Sequence, residues 1–168
     1  MHRALLLTGV AGVGKSTVAE AVGQALTAAG RVTAVVDTDL VAQFGPPPPA
    51  GSRFYDELKC ANLAALWANF KAAGARFVVV AAVIDDLSLR RRYVDSLAGC
   101  AVQVVRLVAD DDLVRGRLRQ RDVGPRLERH LHAVEKPPAI TVEDFTVTND
   151  RAPADVAAEL LVRAGWAW

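Results

Sequence analysis

The strongest constraint on this chain is a run near its start, Gly9-Val10-Ala11-Gly12-Val13-Gly14-Lys15-Ser16-Thr17, which fits G-x-x-x-x-G-K-[ST]. The run lies between segments of different periodicity. Ala4 to Thr8 is a short apolar stretch that reads as a buried strand. Ser16 to Ala28 carries Val18, Val22, Ala25 and Leu26 at helical spacing, with Gly30 as the stop. A strand, this loop and a helix, in that order, make a phosphate-binding P-loop. Glycines lack a Cβ, so the backbone can turn sharply and come close to phosphate oxygens. Successive N–H groups then form an anion nest at a helix N-terminus, where the helix dipole also favours negative charge. In such a loop Lys15 reaches the β- and γ-phosphates and Ser16 offers its hydroxyl to Mg²⁺. Gly9 to Thr17 is therefore the candidate site for a nucleotide polyphosphate.

The rest of the chain alternates. Arg31–Asp37 is a second β-branched run. Asp56–Ala73 is helical, with Leu58, Ala61, Ala65, Leu66 and Phe70 on one side. Arg76–Ile84 is apolar on both faces, as a central parallel strand should be. Ser88–Leu97 reads as a helix and Ala101–Val108 as a strand, with Asp110 as N-cap of the helix that follows. Phe145–Thr148 is a short fifth strand, and Pro153 opens a last helix carrying Val156, Leu160, Leu161 and Ala164. This order predicts an α/β fold of three layers: a five-stranded parallel sheet with helices on both faces, forming one domain over residues 1–168. Ligands in such sheets gather at the carboxyl ends of the strands.

Composition narrows the function. A net charge of +1 argues against a nucleic-acid-coating role. No apolar run approaches a membrane span, and the chain runs straight into its first strand, so neither a membrane anchor nor a signal peptide is expected. Cys60 and Cys100 match no metal or redox spacing and read as reduced thiols of a cytoplasmic protein. The expected partner is a small-molecule acceptor, with the chain a monomer or homodimer.

Two further segments bear chemistry. Asp37-Thr38-Asp39 ends the second strand, beside the expected γ-phosphate. Two carboxylates one residue apart can divide the work, one toward metal waters and one toward an acceptor hydroxyl, provided the chain turns at Thr38 so that both face the site. Either could be the base. Later, Arg117 and Arg121 are spaced i, i+4 on one helix face, and Arg115 and Arg119 share another. Arginine can stack on adenine and fork onto phosphate. The Asp122-Val123-Gly124-Pro125 break then begins a lid-like stretch to about Pro138, with Arg126 and Arg129 on a small helix. His130 and His132 lack a third ligand, so metal binding there is not expected. Asp85 could join a metal shell or cap the next helix. Pro46–Pro49 is either a stiff surface loop or a pocket wall, and Asn62 and Asn69 either touch a pocket or face solvent. The acceptor region is expected over Leu40–Asn62, where Arg53, Phe54, Tyr55 and Asp56 lie close together.

With these residues in view, the chain resembles the P-loop small-molecule and nucleotide kinases, the group that includes adenylate, shikimate, gluconate and adenylyl-sulfate kinases. GVAGVGKST followed by VVDTD is most like shikimate kinases. That resemblance implies Asp37 near Mg²⁺, together with Ser16, and Asp39 holding acceptor hydroxyls. DLVRGRLRQR resembles the pre-lid helix of adenylate kinases, which implies adenine stacking for Arg117 and phosphate contact for Arg121. Asn149-Asp150-Arg151-Ala152-Pro153 falls where these kinases surround the adenine edge, which puts Arg151 among the nucleotide-binding residues. The shikimate-kinase Gly-Gly-Gly element and the adenylate-kinase D-G-[FY]-P-R segment are both missing after the third strand, which reads Ala81-Ala82-Val83-Ile84-Asp85-Asp86. The resemblance implies an ATP- and Mg²⁺-dependent kinase, with Lys15, Asp37, Asp39, Arg117 and Arg121 as catalytic residues. The implied acceptor is a hydroxyl of a sugar acid, nucleoside, adenylyl-sulfate or antibiotic-like molecule. A nucleotide kinase with a phosphate acceptor, and a nucleotide-binding regulator with little turnover, are the alternatives.

Overall fold

Five runs of aliphatic and β-branched residues form the sheet: β1 (His2–Thr8), β2 (Thr33–Asp37), β3 (Phe77–Ala81), β4 (Cys100–Val108) and β5 (Phe145–Thr148). The computed structural model describes residues 1–46, 48–49, 53–136 and 138–167. All strand pairs are parallel, in the order β2-β3-β1-β4-β5. β1 is central, and Ala4 to Leu7 are fully buried because helices cover both faces. Leu5 and Leu7 point into one core, with α1 (Lys15–Ala28), α4 (Asp111–Arg121) and α6 (Pro153–Arg163). Ala4 and Leu6 point into the other, with α2 (Phe54–Ala72) and α3 (Leu87–Ser96). A short helix, α5 (Gly124–Val134), follows α4. No helix among the described residues is long and apolar enough to cross a membrane.

Three expectations shift. The third strand stops at Ala81, not Ile84, because its neighbour β2 ends at Asp37, the register partner of Ala81. The chain beyond is held by a buried hydroxyl instead: the Ile84 N–H donates to Thr8 Oγ1 at 2.9 Å, and that hydroxyl donates to the Ile84 carbonyl at 3.3 Å. The core face of α2 is Cys60, Leu63 and Trp67, flanked by Leu66 and Phe70, while Ala61 and Ala65 are exposed. Larger side chains bury more apolar area, so they set which way the helix faces. Asp86, not Asp85, caps α3: its Oδ1 accepts from the Leu89 N–H at 2.7 Å, and Asp85 is exposed. Asp110 caps α4 as expected, accepting from Asp112 and Leu113.

Trp67 closes the α2 side of the core. It is buried, meets the His2 ring edge-on at 5.5 Å and donates from Nε1 to the Ala98 carbonyl at 3.2 Å. Trp67→Ala should lower the unfolding free energy by about 3–5 kcal/mol, with Trp67→Phe costing less, read from denaturant midpoints.

Candidate functional site

The glycines of the β1–α1 turn set its shape. Gly9, Gly12 and Gly14 have φ of 141°, 81° and 101°. A Cβ on Gly12 would lie 2.8 Å from Leu118 Cγ, and one on Gly14 would collide with Asn149 Nδ2. Space and conformation thus both demand glycine. The loop carbonyls are used as well. Lys15 Nζ donates to Gly9 and Val10 carbonyls at 2.8 and 3.0 Å. The Val13 carbonyl accepts from Asn149 Nδ2 at 2.7 Å and from Arg117 Nη1 at 3.2 Å. These two bonds tie the β5–α6 connection and α4 to the loop. Gly14, at the N-terminus of α1, makes no side-chain cap hydrogen bond, and the first turn of α1 holds no acidic residue. The first N–H groups of a helix need partners from outside it, so this end suits an anion.

A cavity of about 510 Å³ opens at the carboxyl ends of the strands. Ala11, Gly12, Gly14, Lys15, Ser16 and Thr17 line it. Gly9, Val10 and Val13 do not: Val13 is core, and Gly9 and Val10 serve through their carbonyls. Burial pulls the Lys15 ammonium down to about 8, against the opposing charges of Asp39 and Asp37.

The turn that Asp37 and Asp39 require is present. Thr38 is buried, and both its N–H and its hydroxyl donate to the Ala81 carbonyl at 3.0 Å. Both carboxylates consequently line the cavity. Asp37 Oδ2 accepts from the Ser16 hydroxyl, and Oδ1 accepts from the Asp39 N–H at 2.9 Å. Asp39 is gripped from α2, where Lys59 Nζ donates to its Oδ1 at 2.6 Å. Burial would raise the Asp39 carboxyl, but the hydrogen bond and charge of Lys59, with Lys15 behind, hold it below its ordinary value. Among the described residues no group of three His, Cys, Asp or Glu side chains could hold a metal. The Ser16–Asp37 oxygen pair still fits Mg²⁺, which takes one or two protein oxygens and fills its shell with waters and phosphate oxygens.

The opposite wall is cationic. Arg117 and Arg121 both line the cavity, whereas Arg115 turns away to Asp112. Asp122, almost fully buried, organises this side. It accepts from Arg121 Nε and Nη2 at 3.1 Å and from His130 at 2.6 Å, and pairs with Arg126 Nε at 3.4 Å. The hydrogen bonds from Arg121 and then His130 hold its carboxyl far below the carboxylate range. Arg121, Arg126 and His130 all face the cavity. Arg151 lines it too, paired with Glu159 and Asp150.

Asp122 and Lys59 went unread in the sequence. Asp122 looks like a helix break, and its only signal is a carboxylate set within a run of arginines. Lys59 carries no signal, since its partner lies twenty residues away. Outside the cavity, Asn62 Nδ2 donates to the Val41 carbonyl at 2.5 Å and Asn69 faces solvent. Pro47, within the proline run, lies outside the described residues.

Parallel strands with a glycine-rich loop at β1 and a cavity above the strand ends define a nucleotide-binding fold of the P-loop kinase kind. The chain belongs to the AAA domain family, whose model matches residues 5–136. No curated protein sequence matches it. Solved structures do. An APS kinase of Mycobacterium tuberculosis, in complex with AMPPNP and APS, has a TM-score of 0.64 at 23% identity, covering 96% of each chain. A gluconokinase from Sinorhizobium meliloti has 0.63 at 22%, over 97% of this chain and 91% of that one. The Deinococcus radiodurans tunicamycin resistance protein has 0.64 at 19%, over 99% and 98%. At these identities the likeness defines the fold.

Lys15 gives a pH signature. Its folded value of about 8 lies below an ordinary lysine's 10.5. Between them the unfolded chain holds the proton and the folded chain has released it, so this group's contribution to stability rises with pH across that window. Denaturant midpoints at pH 7.5 and 9.5 should differ between wild type and Lys15→Met, with the variant lacking this upward component.

Proposed function

We propose that the protein is a kinase that transfers the γ-phosphoryl group of ATP to a hydroxyl of a small molecule. The observation that carries this reading is a single cavity bringing Lys15 and Ser16 together with Asp37, Asp39, Arg117 and Arg121. Residues 1–168 would form one kinase domain, with residues 122–138 as its lid and residues 40–62 as its acceptor region.

Phosphoryl transfer leaves the protein little covalent work, so positioning and charge do most of it. The loop amides and Lys15 hold the triphosphate, with Lys15 turning from its carbonyl partners to the phosphate oxygens. Ser16 and Asp37 would hold Mg²⁺, which neutralises charge on those oxygens. Arg117 stacks on or brackets the nucleotide, with Arg151 and Asn149 close by. Arg121 meets the transferring phosphate. Asp39, fixed by Lys59, orients the acceptor hydroxyl and takes up its proton as the new O–P bond forms and the bond to the β-phosphate oxygen breaks. The lid brings in Arg126 and excludes water, which limits transfer to water.

Asp37→Ala should keep ATP binding within a few-fold and lose transfer by about 10²-fold or more. The readout is phosphorylated product, with an acceptor chosen for raising ATP consumption above the no-acceptor background. Normal transfer by this variant sinks the mechanism. Tight ATP binding with no product from any acceptor would mark a regulator.

Asp122→Asn should loosen the Arg121–Arg126–His130 set. KM for ATP should rise about tenfold, and hydrolysis should gain on transfer, as Arg121 and Arg126 lose the charge of their shared partner.

A further inference from the structure

We infer that the acceptor is an uncharged alcohol with an apolar body, held by the Asp39–Lys59 pair against Ala82 and Val83. This rests on the kinase reading above and names the substrate class of the same site.

The first support is charge. The stretch from Leu40 to Asn62 contains two cations, Arg53 and Lys59. Both are engaged: Arg53 pairs with Asp86 at 2.6 Å, and Lys59 with Asp39 at 2.6 Å. Pro47, Ala50, Gly51 and Ser52, outside the described residues, bring no charge. Arg92, reaching over from α3, pairs with Glu57 at 3.4 Å. The carboxylates are in excess. Burial, and then the charge of Asp85, push the Asp56 carboxyl up, as expected where negative groups crowd. An acceptor carboxylate, sulfate or phosphate would have to break one of these pairs or enter a negative field. The cations that line the cavity itself, Lys15, Arg117, Arg121, Arg126 and Arg151, are those the kinase reading gives to the nucleotide and its phosphates, with Arg121 and Arg126 also paired to Asp122.

The second support is apolar surface. Ala81, Ala82 and Val83 line the cavity next to Asp39, and Val83 is 43% exposed. Leu40, which follows Asp39, and Leu87, which follows Asp86, are 68% and 56% exposed. Phe44, 56% exposed, is held by the Phe54 ring at 5.2 Å, and its carbonyl accepts from the Tyr55 hydroxyl at 2.7 Å. Of these, Val83 shares the cavity with Asp39, and its exposed apolar surface there suits a ligand that is largely apolar with a few placed hydroxyls.

The test is a panel of acceptor pairs that differ in charge: a hydroxy acid against its methyl ester, and an aromatic alcohol against its carboxylated analogue. Product from labelled ATP gives kcat/KM for each. The neutral member should lead by at least about tenfold. A lead for the anionic member overturns the inference and leaves the kinase reading standing. Bound ATP with no product from any member defeats that reading and this inference with it. A second arm uses Asp86→Asn, which keeps an oxygen to cap α3 but frees the Arg53 guanidinium. The anionic-to-neutral ratio should then rise by about tenfold, the gain of one unpaired guanidinium for a carboxylate. An unchanged ratio overturns the inference.

Discussion

Everything on the cavity side of this molecule depends on a backbone turn that side chains would forbid. Between β1 and α1 the chain enters the left-handed region at Gly9, Gly12 and Gly14, and neighbours crowd the space where a Cβ would go. Only then can the Val13 carbonyl point to Asn149 and Arg117 while the Val13 side chain goes into the core. One carbonyl thus fixes the distance from the loop to two elements more than a hundred residues away. Arg117, the arginine proposed to meet the nucleotide, is placed by the phosphate-binding loop itself, so the two are set within one hydrogen-bonded unit.

The wall that carries Asp37 and Asp39 is built by a different device. Buried threonine hydroxyls finish the strands where sheet bonding ends: Thr8 holds Ile84, and Thr38 holds Ala81. A polar group buried with partners stabilises a defined arrangement, whereas one left without partners would cost free energy. By pinning Thr38, the fold turns Asp37 and Asp39 to the same side, which a continuing strand would not allow. The two carboxylates then differ in their partners, a hydroxyl from the phosphate loop for one and an ammonium from α2 for the other.

Much of this was legible from the residues alone, and the boundary is physical. Local periodicity exposed the strands, because β1 and β3 are buried on both faces and read as unbroken apolar runs. The loop was legible because its glycines and the Lys15-Ser16 pair fall at a fixed spacing within one short run, whatever distant residues they meet. α2 was misread where alanine dominates, since Ala61 and Ala65 fit either face and the burial of Trp67 decided. Asp122 and Lys59 were invisible as partners because an ion pair across the fold leaves no spacing in the chain. The turn at Thr38 was expected, but the bonds of Thr8 to Ile84 and of Thr38 to Ala81 were invisible for the same reason. Periodicity reports which face is buried; it does not report which buried or half-buried polar groups meet.

The cavity itself is electrically divided. Lys15, Arg117, Arg121, Arg126 and Arg151 face it from the start of α1, α4, α5 and the β5–α6 connection, while Asp37 and Asp39 face it from the end of β2 and the turn that follows. Lys15 sits at the seam, and burial there weakens its own charge. A polyphosphate brought beside it supplies the opposite charge that the carboxylates provide only in part, and so favours the ammonium form. In the proposed reaction the lysine would become most fully cationic when the polyphosphate arrives. Its resting bonds to the Gly9 and Val10 carbonyls are neutral partners that a charged phosphate oxygen outcompetes. The loop therefore holds its one cation close, on partners weak enough to release it.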